Sequence, residues 1–298
     1  MTLAARLRTN WSARSRQERL AYRLLLPAFG TVVIVATVPF LLAIVDATTS
    51  DRGQFIGLAN FVSALSNPLL YESIKQTAIY AAIVLPSEVL IGLGLALLVH
   101  RTVHSPAIRA AIYLAAMIPI VIPQIAVGVV FRLVFASDYG ILNILLGSTG
   151  HDQILWLSSP PLAMFATATV DIWQWTPFVY LVLFAGFQTV PSESVEAAQV
   201  EGATSWTQFR HIELPYLRPL LLLVLFFRIA DVLRVFDAVY VLTGGGPGTT
   251  TQFLSLYLYR IGFRFSNLGE AAALAAVVMI AMTAFYTIIN RFVPADSR

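Results

Sequence analysis

Hydrophobic residues in this chain fall into six long runs, over about 22–45, 74–99, 108–135, 162–190, 217–242 and 268–292, separated by shorter polar intervals. Each run is of the length, roughly 20 residues, that an α-helix needs to cross a bilayer core with some tilt. The pattern predicts an all-α membrane protein of six transmembrane helices, with a tail over 1–21 and one membrane domain over 22–298. Pro39, Pro86, Pro119, Pro123 and Pro177 lie inside the runs. Membrane helices tolerate proline because neighbouring helices, hydroxyls or water satisfy the freed carbonyls, so kinked helices around a cavity are expected. For any single proline, a packing role is the simpler reading.

Composition agrees with the pattern. Of 298 residues, 58% are hydrophobic and only 12% charged, against about a quarter charged in soluble domains. The net charge of +3 does not point to nucleic acid, because the basic residues lie at the ends of the runs and in a short tail. Arg6, Arg8, Arg14, Arg16 and Arg19 face a single acid, Glu18, in the first 20 residues. The run that follows is too long for a signal-peptide core and is read as a first span. Arg101, Arg109, Arg210, Arg218, Arg291 and Arg298 join the tail on one side, and Arg52, Arg260 and Arg264 lie on the other. The positive-inside rule therefore puts both termini and the 190–216 interval in the cytosol, with outer loops starting near Asp46, Ala136 and Thr243.

Several chemistries are missing. No Gly-Lys pair is present to build a phosphate-binding loop, and no Gly-x-Ser-x-Gly element marks a nucleophile. His100, His104, His151 and His211 are scattered without metal-ligand spacing, and there is no cysteine. No catalytic residue, metal site or cofactor of its own is expected, and the chain is not read as an enzyme.

Charge inside the runs is expensive, at least about 2.5 kcal/mol per group on insertion scales, so such groups are expected to face a cavity or a partner. Glu88, Arg132, Asp171, Arg228, Asp231, Arg234 and Asp237 are the candidates. The last four alternate in sign every third residue, which on a helix forms one inclined stripe of pairable charges. Two roles stay open for that stripe: packing against another subunit, or lining a solute pathway. Arg132 and Asp237 also fit snorkelling to the outer interface. Trp173, Gln174 and Trp175, next to Asp171, offer stacking faces and an amide to a hydroxyl-rich solute, although packing and interface anchoring are the commoner uses of such aromatics.

The most informative polar interval is 192–215, which reads as two short helices about a turn. Pro191 and Ser192 open the first, Glu193 and Glu196 complement its dipole, and Gly202 breaks it. Ser205 and Gln208 have capping-box spacing for the second, and Pro215 opens the fifth run. An amphipathic connector on the membrane surface would show the same features.

Glu196-Ala197-Ala198, then Gly202, then Ile212-x-Leu214-Pro215 resembles the EAA signature of permease subunits of binding-protein-dependent ABC importers. The resemblance implies a type I importer permease fold, with 192–214 as coupling helices that dock on a cytosolic ATPase. Glu196, Ala197, Ala198, Gly202, Ile212, Leu214 and Pro215 would form the contact and its turn. Phe55-Ile-Gly-Leu-Ala-Asn-Phe61, and the stretch from Phe227 through Arg228, Asp231, Arg234, Asp237 and Gly244-Gly245-Gly246-Pro247, are similar to the carbohydrate branch. The family implies a second, different permease subunit, two ABC ATPase subunits that use ATP and Mg, an extracytoplasmic solute-binding protein, and a sugar or polyol as cargo. The bacterial cytoplasmic membrane would be the location. Gly244, Gly245, Gly246 and Pro247 would contact the binding protein, flexible loop filler being the competing reading. The rival from another class is an ion-coupled secondary transporter or channel that uses Glu88 and Asp171 as ion sites.

Overall fold

The computed structural model describes residues 3–50 and 52–292, with side chains placed within 20–35, 37–50, 52–285 and at 287. The arginines of the tail, Arg291 and Arg298, used above as topology signals, have side chains outside that set. Among the described residues the regular structure is helical, apart from one isolated bridge between Thr49 and Phe55.

The chain forms two compact units. The first comprises the chain up to Leu65 together with Ile261–Ala281. Its leading helix, α1, runs from Leu3 to Thr48 without a break, so the backbone of the expected tail is continuous with the first span. Leu, Ala and Arg are good helix formers, and no Gly or Pro intervenes before Pro27 to stop the helix. Beyond α1, Asn60 in the short helix α2 (Ala59–Ser66) donates its amide to the carbonyls of Ala47 at 3.1 Å and Thr49 at 3.0 Å. Those groups lie at the end of α1, where intrahelical partners run out.

The second unit comprises Ser66–Arg260 with the chain after Met282. In order it contains α3 (Pro68–Thr102), α4 (Pro106–Val121), α5 (Gln124–Val134), α6 (Ile141–Ser148), α7 (Pro160–Phe187), α8 (Ser192–Val200), α9 (Ser205–Gln208), α10 (Leu214–Leu233), α11 (Asp237–Leu242) and α12 (Leu254–Tyr259). The chain closes on α13 (Leu268–Phe292), which begins in the first unit and ends in the second. α3 and α7 pack along their length, with Ala96, Val179, Tyr180, Leu183, Phe187 and Leu217 buried together. In lipid, such contacts are held by close packing and hydrogen bonds rather than by exclusion of water.

Two of the six apolar runs are not single helices. α4 and α5 meet at a bend of 92°. Pro123 has no N–H for the carbonyl of Pro119, and Ile122 and Pro123 leave the helical conformation. Pro86 and Pro177, by contrast, lie inside uninterrupted helices. The second interruption divides the fifth run: α10 stops at Leu233, and α11 starts at Asp237 after a turn through Arg234, Val235 and Phe236. Among the described residues, four helices are long and apolar enough to cross a membrane, or five if the bent α4–α5 pair counts as one crossing.

The second halves of the two broken runs, α5 and α11, pack on one another. A Cβ at Gly128 would lie 3.0 Å from the Ala238 carbonyl oxygen and 3.1 Å from Val241 Cβ, so a larger residue there would push the two helices apart by a few tenths of an ångström. Arg132 donates across the same seam to the Val241 carbonyl at 3.0 Å. Next to it, the outer loop expected after Ala136 contains α6, whose buried Asn143 is fully bonded. It donates to the carbonyls of Ser137 and Ile154 and accepts from Ile154 N–H and Trp156 Nε1.

Candidate functional site

Charged residues from three helices converge on Arg228. This side chain is 1% exposed, and Glu88 on α3 and Asp171 on α7 are 0% and 8% exposed. Arg228 donates Nε and Nη2 to the two oxygens of Glu88, both at 2.7 Å, and Nη2 also to Asp171 at 2.8 Å. The two-pronged geometry suits the planar guanidinium and strengthens each bond through the charges. Trp175 lies against the guanidinium at 4.9 Å, and the buried Tyr80 hydroxyl interacts with Asp171. A guanidinium shared by two dry carboxylates, with an aromatic face on one side, ties α3, α7 and α10 together in the middle of the unit.

The charge stripe is realised only in part. Asp231 accepts from Arg228 at 3.4 Å and pairs with Arg234 at 3.6 Å. The helix ends at Leu233, so the three-residue spacing does not carry Arg234 on to Asp237. Asp237 is exposed in the first turn of α11, where a carboxylate complements the helix dipole. The other polar group expected on a pathway is used internally. Gln174, 2% exposed, donates to the carbonyls of Ile122 at 2.9 Å and Pro119 at 3.5 Å, the groups left open by the bend at Pro123. Trp173 is 41% exposed and packs at 5.1 Å on the Phe131 ring.

Between α7 and α10 the chain forms the expected pair of short helices, with differences at both ends. Pro191 takes the N-cap position of α8, and no side chain caps that helix. Glu196, Ala197 and Ala198 lie on α8. Gly202 follows at φ +82°, with open space around it, so its conformation rather than its size requires glycine. Thr204, not Ser205, caps α9, its hydroxyl accepting from Thr207 N–H at 3.2 Å. α9 then widens into a π turn over Phe209–Glu213 and passes directly into α10. Pro215 cannot donate to the carbonyl of His211, and the wider turn, with Leu214 N–H bonded back to Phe209, absorbs that defect. Ile212 lies inside this turn, and Leu214 with Pro215 begins α10. Val200 and Trp206, 89% and 66% exposed, stand on either side of the Gly202 turn, with Trp206 packed on one side against the Phe209 ring at 5.7 Å.

Two residues at the base of this loop were legible only as a topology marker and as the unspecified position in Ile212-x-Leu214-Pro215. Arg101 and Glu213 form an ion pair at 3.1 Å, with Glu213 1% exposed. A carboxylate just before the start of a long apolar helix, between two apolar residues, is the signal that could have found it.

The Gly244–Pro247 loop is not slack. Arg260 donates to the Gly244 carbonyl and to Gln252 Oε1, and the buried Thr251 hydroxyl donates to the Gly246 carbonyl at 2.8 Å. His100, in the last turn of α3, stacks on Phe187 at 4.9 Å. No group of residues suited to a metal ion occurs among the described residues.

The fold and this polar loop define an all-helical membrane protein with a buried ionic centre and one short helical pair between its fourth and fifth runs. Residues 88–296 match the family model described as binding-protein-dependent transport system inner membrane component, and the chain belongs to that family. It is 33% identical, over 93% of its length and 95% of the relative's, to the trehalose/maltose transport system permease protein MalF of Thermococcus litoralis. It is 35% identical, over 79% of its length and 75% of the relative's, to the sulfoquinovosyl glycerol transport system permease protein SmoG of Agrobacterium fabrum. Its fold is that of a chain in the crystal structure of a bacterial ABC transporter involved in the import of the acidic polysaccharide alginate. The TM-score is 0.83 at 23% identity, covering 97% of this chain and 100% of that one. The all-α type I importer permease fold follows.

Proposed function

We propose that this chain is the sugar-translocating permease subunit of an ATP-driven importer. It would span the bacterial cytoplasmic membrane several times, with both termini and the 192–214 loop in the cytosol. It would pair with a second, different permease subunit. Two cytosolic ABC ATPase subunits, the sites of ATP and Mg use, would take hold of α8 and the Gly202 turn, and an extracytoplasmic binding protein would deliver the solute. Closure of the ATPases would then move the helices between inward-open and outward-open states, an alternating-access cycle driven from outside this chain.

The observation that carries this reading is the near full-length likeness to a trehalose/maltose permease. The exposed Val200 and Trp206 support it, because they give the loop an apolar face for a cytosolic partner. The ion-coupled alternative is weakened by the engagement of both its carboxylates, Glu88 and Asp171, with Arg228. In vesicles holding the chain and its partners, with the binding protein outside, radiolabelled trehalose or maltose is expected to accumulate only with internal Mg-ATP. Uptake driven by an ion gradient without ATP would refute the proposal.

A further inference from the structure

The loop and the helices it must move are joined by a polar clasp. The Glu213 carboxylate, 1% exposed, accepts Nη2 of Arg101 at 3.1 Å on one oxygen and Nε2 of Gln208 at 3.1 Å on the other. The same Arg101 nitrogen donates to the Ser205 carbonyl at 3.0 Å. One guanidinium nitrogen at the C-terminal end of α3 thus holds both the first turn of α9 and the last residue before α10.

The clasp spans the π turn of the connection. The Phe209–Glu213 π turn has wider hydrogen-bond rings than an α-helix and lies just before Pro215, which contributes no N–H. A push on α9 transmitted through that turn alone would be spent in bending it. With Arg101 and Gln208 both fixed on Glu213, α9, the π turn and the end of α3 move together.

We propose that Arg101, Glu213 and Gln208 are positioning residues for coupling. They form a joint that carries displacement of the 192–208 segment into α3 and α10, the two helices that also hold Glu88 and Arg228. The proposal rests on the reading of this loop as the ATPase contact.

The complete transporter tests it. The chain has no native cysteine, so spin labels at Thr102→Cys and Arg210→Cys, both exposed, report the distance between α3 and the π turn. In the otherwise native chain a single narrow distance, unchanged by Mg-ATP, is expected. Arg101→Ala should broaden it and lower trehalose taken up per ATP hydrolysed by about tenfold, a typical size for coupling between sites. Arg101→Lys should restore most of both. Narrow distances with an unchanged uptake ratio in Arg101→Ala would overturn the proposal. If that variant fails to assemble, Gln208→Ala keeps the ion pair and should still cost about threefold; no change there would also overturn it. ATPase subunits that do not bind the native chain would instead refute the coupling reading itself.

Discussion

The two arginine–carboxylate assemblies of this chain use the same groups under different conditions. Arg228 is dry, grips Glu88 with two parallel bonds and shares Asp171. Arg101 keeps 30% of its side chain exposed and reaches Glu213 through one nitrogen. Removing a fully desolvated charge strands its partners, whereas in the Arg101–Glu213 pair the arginine is 30% exposed and water can reach the carboxylate once that side chain is gone. The difference teaches that the Arg228 assembly holds three helices in a fixed relation, while the Arg101–Glu213 pair can be loosened without loss of the fold.

The largest effect should follow Arg228→Ala. It leaves Glu88 and Asp171 buried without their cation and should cost about 3–5 kcal/mol, enough to abolish recovery of folded protein from membranes. The same yield assay on Arg228→Met combined with Glu88→Gln and Asp171→Asn should recover most of the folded protein, because no bare charge is then left. Failure of the triple variant would show that the ionic centre does more than balance charge. Next in size, Arg101→Ala should lower the thermal unfolding temperature of the solubilised chain by an amount equivalent to about 1–3 kcal/mol, with folded yield retained. A loss as large as that of Arg228→Ala would remove the distinction between the two sites. The smallest change belongs to Arg234→Ala. Its pair with Asp231 is 3.6 Å long with the arginine 67% exposed, so stability should shift by no more than about 0.5 kcal/mol.

Much of the fold was legible because spans write themselves as long apolar runs, and the turn at Gly202 because only glycine takes φ +82° at little cost. The interruption at residues 234–236 was not, since Val235 and Phe236 continue the apolar run and periodic charges gave no sign of a helix end. Nor was the choice among prolines. Pro86 and Pro123 look alike in sequence, but only the second lies where Gln174 from another helix can accept the broken geometry. Glu88, Asp171 and Arg228 were each conspicuous as charges in apolar runs, yet their meeting depends on the packing of α3, α7 and α10. For Gln174 both a solute and a packing role were open, because its partners, the carbonyls of Pro119 and Ile122, are exposed to it only once the chain has bent there.

The seam at Gly128 has a mechanical meaning. A helix interrupted halfway gives its outer part freedom to swing, and a chain with two such interruptions would ordinarily have two independent swinging arms. Here α5 and α11 touch backbone to backbone at Gly128 and Ala238, and Arg132 is fastened to the Val241 carbonyl a turn further along. The two arms are therefore fastened to one another, so the interruptions at Pro123 and at Arg234–Phe236 both lead into a single packed pair.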